Sequence, residues 1–103
     1  MEKVYTINEI KRKLNPIFKD YPVYKAVLFG SYAKGSATSK SDLDVVLDSH
    51  GEIRGLSFYG VLDDISSALD KKIDMFDASE IKQKSPLMEE INKQGVILYE
   101  RER

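Results

Sequence analysis

Asp42-Leu43-Asp44-Val45-Val46-Leu47 sets two carboxylates at the mouth of a run apolar enough to lie inside a sheet. Such continuity marks a strand buried on both faces, so the chain has to cover that strand with helices on each side. Within the strand Asp42 and Asp44 point to one side, about 6 to 7 Å apart along the chain, while Leu43 and Val45 point to the other. Carboxylates held that close repel each other unless a cation lies between them.

The remaining elements can be read around this strand. Thr6 and Glu9 fit a capping box, and Ile7, Ile10, Leu14 and Ile17 follow at helical spacing up to Phe18. Asn15-Pro16 is expected to kink or shorten that helix. Tyr21-Pro22 leads into a strand over Val23 to Phe29 that ends at Gly30. Residues 31–41 are rich in Gly, Ser, Ala and Lys and read as a loop, with Ser31 capping a short helical turn. Polar residues 49–55 form a second, mobile loop. Leu56 to Leu69 carries apolar residues at 58, 61, 62, 65, 68 and 69, the stripe of an amphipathic helix. Lys72 to Phe76 is a short third strand, and Asp77 with Glu80 caps a helical turn. Ser85-Pro86 starts the last helix, Gly95 is expected to end it in the left-handed conformation, and Val96 to Tyr99 is the final strand. This alternation predicts an α/β (α+β) fold, a small mixed sheet covered by helices.

At 103 residues the expectation is one domain, 1–103, burying roughly 65% of its unfolded surface. The absence of cysteine excludes disulfides, thiolate metal sites and thiol catalysis. No run of 18 apolar residues spans a membrane, and the N-terminus lacks the apolar stretch of a signal peptide, so a cytoplasmic location is expected. The net charge of −1 hides a gradient: residues 1–41 hold eight basic and three acidic groups, residues 42–77 three basic and nine acidic. Near-neutrality argues against dedicated nucleic-acid binding. The acidic middle invites a cation.

Three devices can do chemistry. Asp42 and Asp44 offer hard oxygen ligands that suit Mg2+, or Mn2+, carrying substrate phosphates. Gly30-Ser31 ends a strand where the backbone can approach a ligand closely and amides begin a turn, a geometry for phosphates. If the strands over 23–29 and 43–47 pair antiparallel, these two devices share one end of the sheet. Asp74, within the third strand, is an acid in a run otherwise suited to burial, where an unpaired charge is costly and a shared metal would account for it. Singly, an Asp-x-Asp pair, a Gly-Ser turn or an edge-strand Asp is weak evidence. Their joint occurrence in this order is much more specific.

Gly30-Ser31, ten intervening residues, Asp42-x-Asp44 and a third Asp on a later strand resemble the active-site pattern of the polymerase-beta-type nucleotidyltransferases. From about Val4 to Tyr99 the chain is similar to the smallest of them, the minimal nucleotidyltransferases (MNT), many of which act as antitoxins that transfer AMP to a tyrosine of a HEPN-domain toxin. The resemblance implies a nucleotidyltransferase palm core, with Asp42, Asp44 and Asp74 as the catalytic and metal-binding carboxylates. Two Mg2+ ions about 3.5 to 4 Å apart, bridged by Asp42 and Asp44, would neutralise charge at the α-phosphate of ATP. It also implies that Gly30 and Ser31 hold the triphosphate. Lys34 stands where relatives often carry Arg, which replaces a bidentate phosphate contact with a point charge.

Other residues have plainer readings. His50 and Asp63-Asp64 read as solvated, Tyr32 as packing, Lys11-Arg12-Lys13 as a helix coat, and Leu87, Ile91 and Val96 as core. The length leaves no room for a domain that grips an acceptor, so a HEPN-domain partner is expected to bring the hydroxyl, or a second subunit of a homo-oligomer to complete the site. Two alternatives stay open: a noncatalytic module that senses nucleotide and neutralises its partner by contact, and a small-molecule nucleotidyltransferase acting as a homodimer.

Overall fold

The computed structural model describes residues 4–101. Its elements are α1 (Ile7–Asp20), β1 (Lys25–Phe29), α2 (Gly30–Lys34), β2 (Leu43–Asp48), α3 (Leu56–Leu69), β3 (Ile73–Asp77), a 3-10 turn (Ala78–Glu80), α4 (Pro86–Gln94) and β4 (Val96–Glu100).

The α1 N-terminus forms as its sequence predicts. Glu9 N–H donates to Thr6 Oγ1 at 3.1 Å and Thr6 N–H donates to Glu9 Oε1 at 3.0 Å, a reciprocal capping box. Ile10, Leu14 and Phe18 are fully buried along one stripe. Pro16 does not shorten the helix, which continues to Asp20. Proline inside a helix costs about 3 kcal/mol, and burial of those three side chains, at roughly 1.5 to 3 kcal/mol each, outweighs it. The first strand starts later than the apolar run, at Lys25, because the chain is still turning at Val23, whose N–H donates to the Tyr21 carbonyl at 2.7 Å.

The four strands lie in the order β3-β2-β1-β4. β1 is antiparallel to both β2 and β4, while β3 joins β2 in parallel after the α3 crossover. Strand alternation sends Leu28, Leu43, Val45, Leu47 and Ile73 into one apolar cluster with Ile10, Leu14, Val61 and Ile65 of α1 and α3. Phe29 and Val46 form a second cluster on the opposite face with Ile91 of α4. The central strand β2 is therefore covered on both sides, as its composition requires. Among the described residues no helix is long and apolar enough to cross a membrane.

Gly95 departs from expectation. Its φ of −66° and ψ of 146° are extended, not left-handed. Space, rather than dihedral freedom, selects glycine here: a Cβ would collide with the Ile91 carbonyl oxygen and lie 2.7 Å from Val27 Cγ1. Gly95→Ala is expected to lower unfolding free energy by about 1 to 3 kcal/mol, as overpacking does. Urea denaturation measures it, and a midpoint equal to the wild type's would contradict the packing account.

Candidate active site

Strand register assembles the site. Antiparallel pairing sets Phe29 opposite Asp44, and parallel pairing sets Asp44 opposite Asp74. The end of β1, the start of β2 and the start of β3 thus converge, and the chain leaves β1 directly into Gly30-Ser31. Gly30 has φ +74°, and a Cβ built on it would run into Asp44 Oδ2. Glycine is required twice over, by conformation and by the close approach of the carboxylate. This links Gly30 to Asp44 more directly than to Asp42.

The helix α2 begins at Gly30, with Phe29 at the N-cap and no side-chain cap. Ser31 therefore occupies the second helical position and does not cap the turn as expected. The first amides of a helix have no partner within it, so this uncapped start leaves donors suited to an anion. At its other end the Ser31 carbonyl accepts from Gly35 and Ser36 N–H, with Gly35 left-handed at φ 79°. Lys71 fastens the loop that follows: its Nζ donates to the Ser39 carbonyl at 3.2 Å and lies 5.7 Å from the Tyr32 ring centroid. Tyr32 is buried in the core, as the packing reading holds.

Asp42 lies immediately before β2, with its Oδ2 3.5 Å from Lys72 Nζ. Lys34, on α2, lies 3.7 Å from Glu90 Oε1 on α4. Asp44 and Asp74 form the close carboxylate pair. Burial, then the charges of Asp74 and Asp42, then a hydrogen bond to Asp74, then the charge of Glu90, push the Asp44 carboxyl from 3.8 up to about 6. No three of the described Asp, Glu and His side chains surround one point in a ligating arrangement. The expected three-carboxylate set is therefore a close pair plus Asp42, which is engaged by a lysine. The chemistry of the donors nonetheless suits a divalent cation: two hard oxygen ligands are crowded together, and Asp44 holds its proton more tightly than an isolated carboxyl does.

Lys72 and Glu90 were not singled out from the sequence. Lys72 had a signal, standing two positions before Asp74 and so on the same side of the extended chain. Glu90 had none, since its place depends on how α4 packs against α2. His50 is far from this end of β2; it stacks on Tyr24 with centroids 4.0 Å apart. Asp64 accepts a 2.6 Å hydrogen bond from Tyr21 Oη. A cavity of about 700 Å3 runs along the β3 edge, lined by residues that include Phe58, Tyr59, Met75, Phe76 and Leu87. Its lining does not include the three aspartates; Phe76, two positions from Asp74 on the same side of β3, is one of its walls.

A mixed sheet with a glycine-led helix after one strand and facing acids on the next two defines a nucleotidyltransferase-like fold. The chain belongs to the polymerase beta nucleotidyltransferase family, whose model matches residues 12–103. It is 34% identical over 83 residues to a Methanocaldococcus jannaschii protein named "Putative protein adenylyltransferase", covering 80% of this chain and 85% of that one. Its fold matches a toxin-antitoxin crystal structure with AMP-PNP, at TM-score 0.75 and 22% identity over 89% of this chain and 74% of that one. It also matches a complex of a tri-AMPylated Shewanella oneidensis HEPN toxin with MNT antitoxin, at TM-score 0.70 and 19% identity over 93% and 74%.

Because the folded Asp44 carboxyl titrates near 6 rather than 3.8, the folded state binds the proton more tightly than the unfolded state. Stability is then lost as pH rises through that window, and the loss is complete above it. In EDTA, Asp44→Asn is expected to raise the melting temperature by a few degrees at pH 8 and by little at pH 4. Calorimetry at the two pH values checks this; a pH-independent change, or a lower melting temperature at pH 8, would contradict it.

Proposed function

We propose that this nucleotidyltransferase transfers AMP from ATP to a tyrosine hydroxyl of a HEPN-type partner protein and so acts as an antitoxin. The observation that carries this reading is the Asp44 and Asp74 pair set against the Gly30-Ser31 helix start. The name of the M. jannaschii relative and the toxin-antitoxin complexes of the same fold support the nucleotide, the acceptor class and the partner.

In the reaction the tyrosine oxygen attacks the α-phosphorus of ATP, the bond from that phosphorus to the bridging oxygen of the β-phosphate breaks, and pyrophosphate leaves. The hydroxyl proton passes to a carboxylate. Asp42, Asp44 and Asp74 would hold Mg2+, or Mn2+, which when bound neutralises charge at the phosphates and makes the hydroxyl more acidic. The amides at the start of α2 and the Ser31 hydroxyl hold the β- and γ-phosphates, and Lys34 adds a point charge. In this reading Asp74, on the edge strand β3, takes the proton of the incoming hydroxyl.

Isothermal titration is expected to show Mg2+-dependent ATP binding that Asp42→Asn with Asp44→Asn abolishes; unchanged binding would contradict the site. Coexpression with a HEPN-type protein is expected to add one or more AMP units to a tyrosine of that protein, read by mass spectrometry. Neutralisation of the partner with no added mass would instead mean that contact alone is sufficient.

A further inference from the structure

Four acids and two lysines meet around the phosphate end of the sheet. Asp42 is paired with Lys72, Asp44 faces Asp74, and Glu90 reaches across from α4 to Lys34 at 3.7 Å. Glu90 is near enough for its charge to act on Asp44. It stands on α4, which packs against both β1 and α2, so its carboxylate confronts whatever approaches Lys34. Its neighbour Glu89 is exposed.

We propose that Glu90 is a specificity-determining residue that restricts nucleotide binding to the metal-loaded form, by holding Lys34 and adding negative charge at the phosphate end of the site. This rests on the nucleotide reading above. A bare triphosphate brings about four negative charges to a site whose acids outnumber its lysines. It has to displace Glu90 from Lys34 while the charges of Asp44 and Asp74 remain uncompensated. A triphosphate carrying a divalent cation brings half that charge together with the counter-ion for those carboxylates, so repulsion from Glu90 is offset. Partly exposed charges a few ångströms apart, in an effective dielectric near 20, are strong enough for this discrimination. A surface ion pair such as Lys34 with Glu90 is weak enough to be exchanged for a phosphate.

The test is isothermal titration of ATP into wild type, Glu90→Gln and Glu89→Gln, each in EDTA and in Mg2+. Glu90→Gln is expected to tighten binding in EDTA by roughly three- to tenfold at low salt while changing binding in Mg2+ much less, so the ratio of the two affinities narrows. Glu89→Gln removes the same charge from an exposed neighbouring position and is expected to leave the ratio unchanged. A merely structural role for Glu90 would shift both affinities alike. An unchanged ratio in Glu90→Gln, or an equal narrowing in Glu89→Gln, would overturn the inference and leave the nucleotidyl-transfer reading intact. Failure of wild type to bind ATP in Mg2+ would overturn both.

Discussion

Two carboxylates are held side by side by the backbone. Parallel pairing fixes Asp44 beside Asp74, and main-chain hydrogen bonds leave neither strand free to slide away. A one-residue slip would turn Leu43 and Val45 out of the core, so burial of those side chains enforces the proximity of the acids. The hydrophobic core stabilises an arrangement that electrostatics opposes, and the Asp44 carboxyl is pushed up in consequence. Sites of this kind cost stability in the empty state, which is a recurrent property of functional constellations.

The surrounding elements maintain this conflict. Crossover helix α3 places β3 parallel to β2 and buries Val61, Ile65 and Leu69 beneath them. Gly30 lets the end of β1 come against Asp44 without a Cβ in the way. Lys71 ties down the loop between Gly30 and Asp42 through the Ser39 carbonyl. Helix α4, brought against β1 by the tight turn at Gly95, delivers Glu90 to Lys34. Each of these contacts helps to set where the carboxylates and the start of α2 stand.

Much of this was legible in the sequence because the signals were local. The capping box at Thr6 and Glu9, the α3 stripe, and the Ser85-Pro86 helix start each name their own structure within one or two turns. The adjacency of Gly30-Ser31 to the acids also followed, once β1 and β2 were paired antiparallel. What escaped depended on tertiary contact. Pro16 is tolerated because Phe18 is buried beyond it, and Gly95 is demanded by Val27 and the Ile91 carbonyl rather than by its own dihedrals. Ser31 sits inside its helix instead of at the cap, because α2 begins at Gly30, whose φ is positive where the chain turns off β1 beside Asp44. The partnership of Lys34 with Glu90 joins residues far apart in sequence and has no periodic trace.

The central claim is that Asp44 and Asp74 share a shortage of positive charge that a divalent ion relieves. Carboxyl-carbon NMR across a pH titration reads it directly, with and without Mg2+. The account predicts that the Asp44 carboxyl titrates near 6 in EDTA and falls below its ordinary value when Mg2+ is added, because the cation favours the ionised form. An Asp44 carboxyl that titrates at 3.8 in both conditions would contradict it.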